Sequence, residues 1–181
     1  VLPWYMMIGT AGAGKTSAIL ASGQNFPLPE QLNQVGKPAS PTRNCECWFA
    51  NDAIYLDTSG KYISEPETYL SEWRAILKAL KKHRPVKAIN GVVLSFSAAD
   101  VMCRNKAELF ELAASLRAKI EDVRQTLGVR FPVYVLVTKL DQLPGFTEYF
   151  RILTDQEREQ VWGVTFPYGD VKTVSVSGLR S

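Results

Sequence analysis

Residues Gly9-Thr10-Ala11-Gly12-Ala13-Gly14-Lys15-Thr16 constrain this chain more than any others. Three glycines fall within six positions, after the apolar run "WYMMI" and before "SAIL". Glycine adopts backbone angles that side chains forbid, so the segment reads as a tight loop between a strand and a helix. The spacing G-x-x-x-x-G-K-[ST] suits an anion cradle. Successive amide N–H groups wrap the ligand, no side chain crowds its oxygens, and the following helix points its positive end inward. On this reading Gly9, Gly12, Ala13, Gly14 and Ser17 surround the phosphates of a nucleotide. Lys15 brings a cation to the β and γ phosphates, and the Thr16 hydroxyl ligates Mg²⁺.

Apolar strand-like runs alternate with helical patterns along the rest of the chain. That alternation predicts an α/β fold, a three-layer sandwich around a mostly parallel sheet. The first strand covers about 4–8, and a helix runs to about Ala21 with Gly23 as its stop. Residues 24–44 hold several prolines and read as a long surface loop. "CECWFA" and "AIYLDT" are parted by Asn51-Asp52, which predicts one antiparallel edge hairpin. Ser64 and Glu67 have capping-box spacing, predicting a helix after Ser64 with Leu70, Trp73, Leu77 and Leu80 inward. "INGVVLSFS" and "VYVLVT" read as buried strands. Between them a helix spans Asn105 to Leu127, stopped by Gly128, with Leu109, Leu112, Leu116, Ile120 and Val123 inward. Short helices follow near Thr147 and after Thr154, the latter with Glu157 in capping-box spacing, and "VKTVSVS" closes the sheet. The length suits one domain, 1–181.

Asp57, after "AIYL", falls at the carboxyl edge of the sheet, where it can hold a water on Mg²⁺. Gly60 can present its amide to a γ phosphate because it has no side chain. Thr138-Lys139-Leu140-Asp141 follows a strand, so Asp141 can accept two hydrogen bonds from guanine while the Lys139 stem covers the ring. Thr42, in the long loop, can close onto Mg²⁺, and Arg43 can neutralise transition-state charge. Backbone amides at Ser175 and Ser177 are placed to meet the base. Lys61 follows Gly60, and an ammonium cannot accept a hydrogen bond from an attacking water.

The net charge of +3 is spread along the sequence, which argues against nucleic acid as a partner. The basic run "KALKKHR" reads as a solvated helix end or a partner surface. Cys45, Cys47 and Cys103 are too few for a disulfide framework and suit a reducing compartment. Cys45 and Cys47 share one side of a strand and are expected to be buried. No run of about 18 apolar residues predicts a membrane span. The abrupt start and end suit a piece of a longer protein.

The order of these motifs resembles small GTPase-type P-loop domains. More narrowly, "LPWYMMIGTAGAGKTSAI", "PTRNCECWF", "AIYLDTSGKY", "INGVVLSFSAAD" and "EREQVWGVTFP" resemble the TssM/IcmF family nearly end to end. The resemblance implies the nucleotide-binding domain of a bacterial type VI secretion protein, on the cytoplasmic face of the inner membrane. It implies TssL and baseplate components as partners, within a membrane complex that includes TssJ. Some members of that family have degraded phosphate loops, whereas this chain keeps Gly9, Gly14, Lys15, Thr16, Asp57, Gly60 and Asp141. Where many regulatory GTPases carry Gln after the D-x-x-G glycine, Lys61 stands here, so slow hydrolysis is expected. The combined expectation is a Mg²⁺-dependent GTP or ATP switch. The alternatives are a non-catalytic assembly scaffold and a small-molecule kinase.

Overall fold

The structure is a computed structural model and describes residues 2–35, 37, 39–158 and 160–166. The chain groups into two units, Val1–Phe146 and Thr147–Ser181. The first begins with β1 (Trp4–Gly9), α1 (Lys15–Leu20), α2 (Pro29–Leu32), β2 (Cys45–Phe49) and β3 (Ile54–Thr58). It continues with α3 (Lys61–Ser64), α4 (Leu70–His83), β4 (Gly91–Ser97), α5 (Ala98–Cys103), α6 (Lys106–Leu127) and β5 (Val133–Thr138). A 3-10 turn at Leu140–Gln142 follows.

The five strands lie in the order β2-β3-β1-β4-β5. β1 pairs in parallel with both β3 and β4, and β4 pairs in parallel with β5. Only β2 and β3 run antiparallel among the described strands, as the short Asn51-Asp52 connection predicts. The order places the carboxyl ends of β1, β3, β4 and β5 on one edge. Among the described residues, every loop that carries a candidate residue therefore leaves from that edge or, for Thr42, from the segment leading into β2.

Side chains alternate across a strand, and β1 uses the alternation to build two cores. Met6 and Ile8 join Leu56, Trp73, Leu77, Val92 and Val123 on the face covered by α4 and α6. Met7 joins Ile19, Phe26 and Trp48 on the α1 face. This is the three-layer α/β arrangement that the alternating pattern predicts. α6 begins with a full capping box: Asn105 Oδ1 accepts from the Glu108 amide, and Glu108 accepts from the Asn105 amide. Gly128 ends α6 in the left-handed conformation, as expected. The second unit comprises most of α7 (Phe146–Arg151) and all of α8 (Asp155–Arg158), and Thr154 and Glu157 form the reciprocal bonds their spacing predicts.

Several expectations need correction. The helix expected after Ser64 starts at Leu70, with Tyr69 at the cap and no side-chain bond there. Ser64 belongs to α3, and its hydroxyl donates back to the Gly60 carbonyl at 3.3 Å. Proline pushes the preceding residue out of the helical region. Glu65, before Pro66, accordingly has φ −133° and ψ 61° and ends the short helix. β5 is exposed along most of its length rather than buried. It is the outermost described strand, and "VKTVSVS", expected to close the sheet, lies outside the described residues. The two strand cysteines are not buried as a pair: Cys45 is half-buried and Cys47 exposed, because β2 is an edge strand. Burial, with Cys47, Asp57 and Glu46 nearby, still pushes the Cys45 thiol up to about 12 and keeps it protonated. The helices α2 and α5 are additions that periodicity does not reveal, each being too short to show a repeat.

The main charged intrusion into the α4–α6 layer is Lys119, only 4% exposed. Its ammonium lies 5.3 Å above the Trp73 ring and 3.9 Å from Asp122. Burial pushes it below the usual 10.5, more strongly than Asp122 and Glu67 pull it back. The folded state therefore resists a proton that the unfolded chain binds freely, so stability rises as pH climbs from the lowered value toward 10.5. Lys119→Met should raise stability to denaturant at neutral pH, and that advantage should shrink in alkaline solution. Equilibrium urea unfolding at neutral and alkaline pH measures both.

Candidate functional site

The glycine loop leaves β1 at a point where no side chain fits. A Cβ on Gly9 would sit 2.1 Å from the Ser95 carbonyl oxygen of β4. The loop then turns through Gly12 and Gly14, both with φ above +70°, before α1 starts at Lys15. Its middle is tied to two neighbouring strands through one acceptor. The Ala13 carbonyl accepts from Ser95 Oγ at 2.8 Å and from Thr138 Oγ1 at 2.9 Å. Thr138 thus serves the loop directly, and its hydroxyl also lies 3.2 Å from the Phe96 carbonyl. The buried Lys15 ammonium donates to the Gly9 and Thr10 carbonyls, at 3.0 Å each.

Beside this loop, Asp57 at the end of β3 has no solvent exposure. One of its carboxylate oxygens, Oδ2, accepts from Thr16 Oγ1 at 2.5 Å and from Thr42 Oγ1 at 2.9 Å. The two hydroxyls are 3.3 Å apart. The three side chains expected around Mg²⁺ are therefore assembled from α1, the long loop and β3. The other oxygen, Oδ1, is buried without a partner. Burial pushes the Asp57 carboxyl up, against the pull of the two hydroxyls and of Lys15. Burial likewise pushes Lys15 down, against the pull of Asp57. Each charge offsets only part of the other's loss of water. Among the described residues, no three His, Cys, Asp or Glu side chains form a metal cluster. A hard divalent ion here would thus use one carboxylate, the two hydroxyls and oxygens from a ligand or water, the pattern of Mg²⁺.

A cavity of about 500 Å³ opens above the loop, lined by Gly12, Lys15, Thr16, Ser17, Thr42 and Gly60 among others. Gly60 is packed onto the loop backbone, and a Cβ there would fall 2.0 Å from the Ala11 nitrogen. Lys61 also reaches the cavity wall, but its ammonium is engaged elsewhere. It donates to Asn44 Oδ1 and to Glu72, at 2.7 Å each, and lies 4.4 Å above the Tyr69 ring. Lys139 lines the cavity with φ 55°, a left-handed geometry that turns the chain out of β5. Asp141 is exposed in the 3-10 turn and is not part of the cavity lining. Arg43 is exposed and also outside the lining, although its neighbour Thr42 is inside. Ser175 and Ser177 lie outside the described residues. Sequence reasoning missed Ser95, Asn44 and Glu72. Ser95 carries a usable signal, since a polar residue inside "VVLSFS" needs a buried partner.

The IcmF-related N-terminal domain matches residues 67–179. The chain belongs to the IcmF-related family. The matched segment includes Thr138, Lys139 and Asp141 but not the glycine loop. A relative that does cover the loop, "Type VI secretion system component TssM1" of Pseudomonas aeruginosa, is 42% identical over 176 residues, 95% of this chain. This IcmF-related chain spans 16% of that protein's length. Among solved structures, the signal recognition particle receptor SRb-GTP/SRX complex from Chaetomium thermophilum is similar with a TM-score of 0.52. It is 19% identical, over 79% of this chain and 72% of that one, and supports a small GTPase-like P-loop fold. Roco2 RocCORdC bound to GDP from Methanosarcina barkeri covers 86% of this chain and 39% of its own, at 18% identity and a TM-score of 0.35.

The double tether at Ala13 should be measurable. Ser95→Ala and Thr138→Val each remove one donor from a buried carbonyl that keeps the other, so each should cost about 1 kcal/mol. The double variant should cost more than the sum, because the carbonyl is then left unpaired. Chemical denaturation of the two single variants and the double variant, as a cycle, tests this.

Proposed function

We propose that this domain binds a nucleoside triphosphate with Mg²⁺ at the carboxyl edge of the sheet and hydrolyses it slowly. The observation that carries the proposal is the convergence of Thr16, Thr42 and Asp57 beside the buried Lys15, with Asp57 Oδ1 left unpartnered. The loop amides and Lys15 bind the phosphates, and Thr16, Thr42 and Asp57 hold the metal side of the ligand. When bound, Mg²⁺ supplies neutralisation of charge on the phosphate oxygens. The GTPase-like fold supports GTP as the nucleotide, with ATP as the competitor. Base selection is assigned to Asp141 and Lys139, with Ser175 and Ser177 in the same role.

Slow turnover follows from the residues around the γ-phosphate side. Lys61 cannot accept a hydrogen bond from water, and its ammonium is already bound by Glu72 and Asn44. Arg43, the candidate for neutralising transition-state charge, is exposed and would have to move inward. In this proposal the bound ligand biases the segments 30–44 and 58–66, both of which border the cavity. The proposal takes 1–181 as one nucleotide-binding domain of a longer inner-membrane protein. There the switch acts in assembly of the type VI secretion membrane complex, through TssL and baseplate components. Among the described residues, no helix is long and apolar enough to cross a membrane.

A second reading is a non-catalytic assembly scaffold that binds TssL and baseplate components with little or no nucleotide turnover. The engagement of Lys61 and the outward Arg43 favour it over a fast enzyme. Single-turnover hydrolysis with saturating domain separates the two, since a scaffold leaves labelled triphosphate intact.

Lys15→Ala should weaken triphosphate binding by roughly tenfold to a hundredfold, the effect of losing a charge-assisted hydrogen bond. Asp57→Asn should abolish the dependence of affinity on Mg²⁺. Titration calorimetry with GTP and ATP, with and without Mg²⁺, measures both effects. Equal binding by wild type and Lys15→Ala would sink the proposal. An Asp141→Asn variant that still prefers GTP over ATP would remove Asp141 from base recognition alone.

A further inference from the structure

The opposite edge of the sheet carries charge that nucleotide binding does not use. Between Trp73 and Ala99 there is no acidic residue, while Arg74, Lys78, Lys81, Lys82, Arg84 and Lys87 are basic. Most of these fall at the end of α4 and in the connection to β4, which starts at Gly91 beside Tyr5 of β1. The segment is therefore at the amino ends of the strands, away from the glycine loop at Gly9. It is also held in shape. The Arg84 guanidinium lies 4.5 Å above the Trp4 ring, and its Nε donates to the Ala88 carbonyl at 3.2 Å. Asn90 Oδ1 accepts from the Trp4 amide at 3.0 Å, and Lys81 donates to the Thr126 carbonyl at 2.7 Å. Pro85 and Val86 lie between Arg84 and Lys87 in the chain and are exposed, Val86 to 91%. With Leu2, His83 and Lys87 they line an open hollow of about 510 Å³. Asp52, at the tip of the hairpin before Ile54, is an acidic neighbour on this edge.

We propose that this basic edge, with Lys82, Arg84 and Lys87 around the exposed Val86, docks on an anionic lipid bilayer. Charge alone would suit any acidic partner. The apolar tip decides between them. An acidic protein surface would need a matching pocket for Val86, whereas the boundary between headgroups and acyl chains accepts such a tip anywhere. The surrounding lysines place their ammonium groups at headgroup level, while their stems follow the apolar residue inward. Binding in this orientation leaves the glycine loop facing away from the membrane and open to solvent. The inference does not rest on the nucleotide reading, and its test uses no nucleotide.

The 181-residue chain is mixed with vesicles of phosphatidylcholine alone, or with roughly one-third phosphatidylglycerol, at low and high salt. Co-sedimentation is expected with the anionic vesicles only, and it should fall steeply as salt rises. Lys82→Gln and Lys87→Gln should each lower partitioning by roughly fivefold, the effect of one basic residue at an anionic surface. Both side chains are exposed, so these variants should fold. Val86→Ser should weaken binding while leaving the salt dependence unchanged. Absence of binding to anionic vesicles, equal binding to neutral ones, or insensitivity to the two lysine changes would each overturn the proposal. Retention on immobilised poly-glutamate without vesicle binding would assign the patch to an acidic polypeptide and equally reject the bilayer. The salt titration of wild type stands even if a variant misfolds.

Discussion

The carboxyl edge is organised around a charge that water cannot reach. Asp57 is fully buried, and its hold on Thr16 and Thr42 joins three segments that are far apart in sequence. Burying a carboxylate is costly, and two hydroxyls on a single oxygen offset only part of that cost. The remaining oxygen, buried without a partner, makes the arrangement incomplete. A protein that only needed a stable core would be better served by apolar residues at these positions. The unpartnered Asp57 Oδ1 is therefore the strongest physical argument that the cavity suits a ligand.

The parallel sheet makes this concentration possible. With β1 between β3 and β4, the ends Gly9, Thr58 and Ser97 arrive side by side, and Thr138 of β5 completes the row. The loop needs no long side chains to be fixed there, since the Ser95 and Thr138 hydroxyls converge on one carbonyl. Lys61 shows the same economy on the far side of the cavity. Its single ammonium links the long loop at Asn44 to α4 at Glu72, and both contacts are partly exposed. Surface pairs of this kind contribute little to stability, so the link can be broken at small cost.

Much of this was legible in the sequence because the signals were local. Glycine spacing, the Thr154–Glu157 box and the two-residue hairpin connection depend on neighbours along the chain, and each formed where expected. The start of α4 was not legible. Ser64 and Glu67 satisfy the spacing rule, but Pro66 forces Glu65 out of the helix, and the rule does not weigh that conflict. β5 misled for a different reason. "VYVLVT" is as apolar as a central strand, and its exposure depends on strand order, which no local pattern contains. At the site, Thr16, Thr42 and Asp57 were readable from their order, whereas the place of Arg43 depends on how a proline-rich loop turns. Ser95 passed unnoticed because it sits in the middle of an apolar run where only its partner explains it.

Gly60 touches the backbone of Ala11 with no side chain between them. Two strips of main chain in such contact behave like meshed gears. If a ligand spreads the glycine loop, the turn carrying Lys61 must be carried along, because there is no pliable group to absorb the travel. A displacement of the loop would then be felt at α3, which begins directly after Gly60.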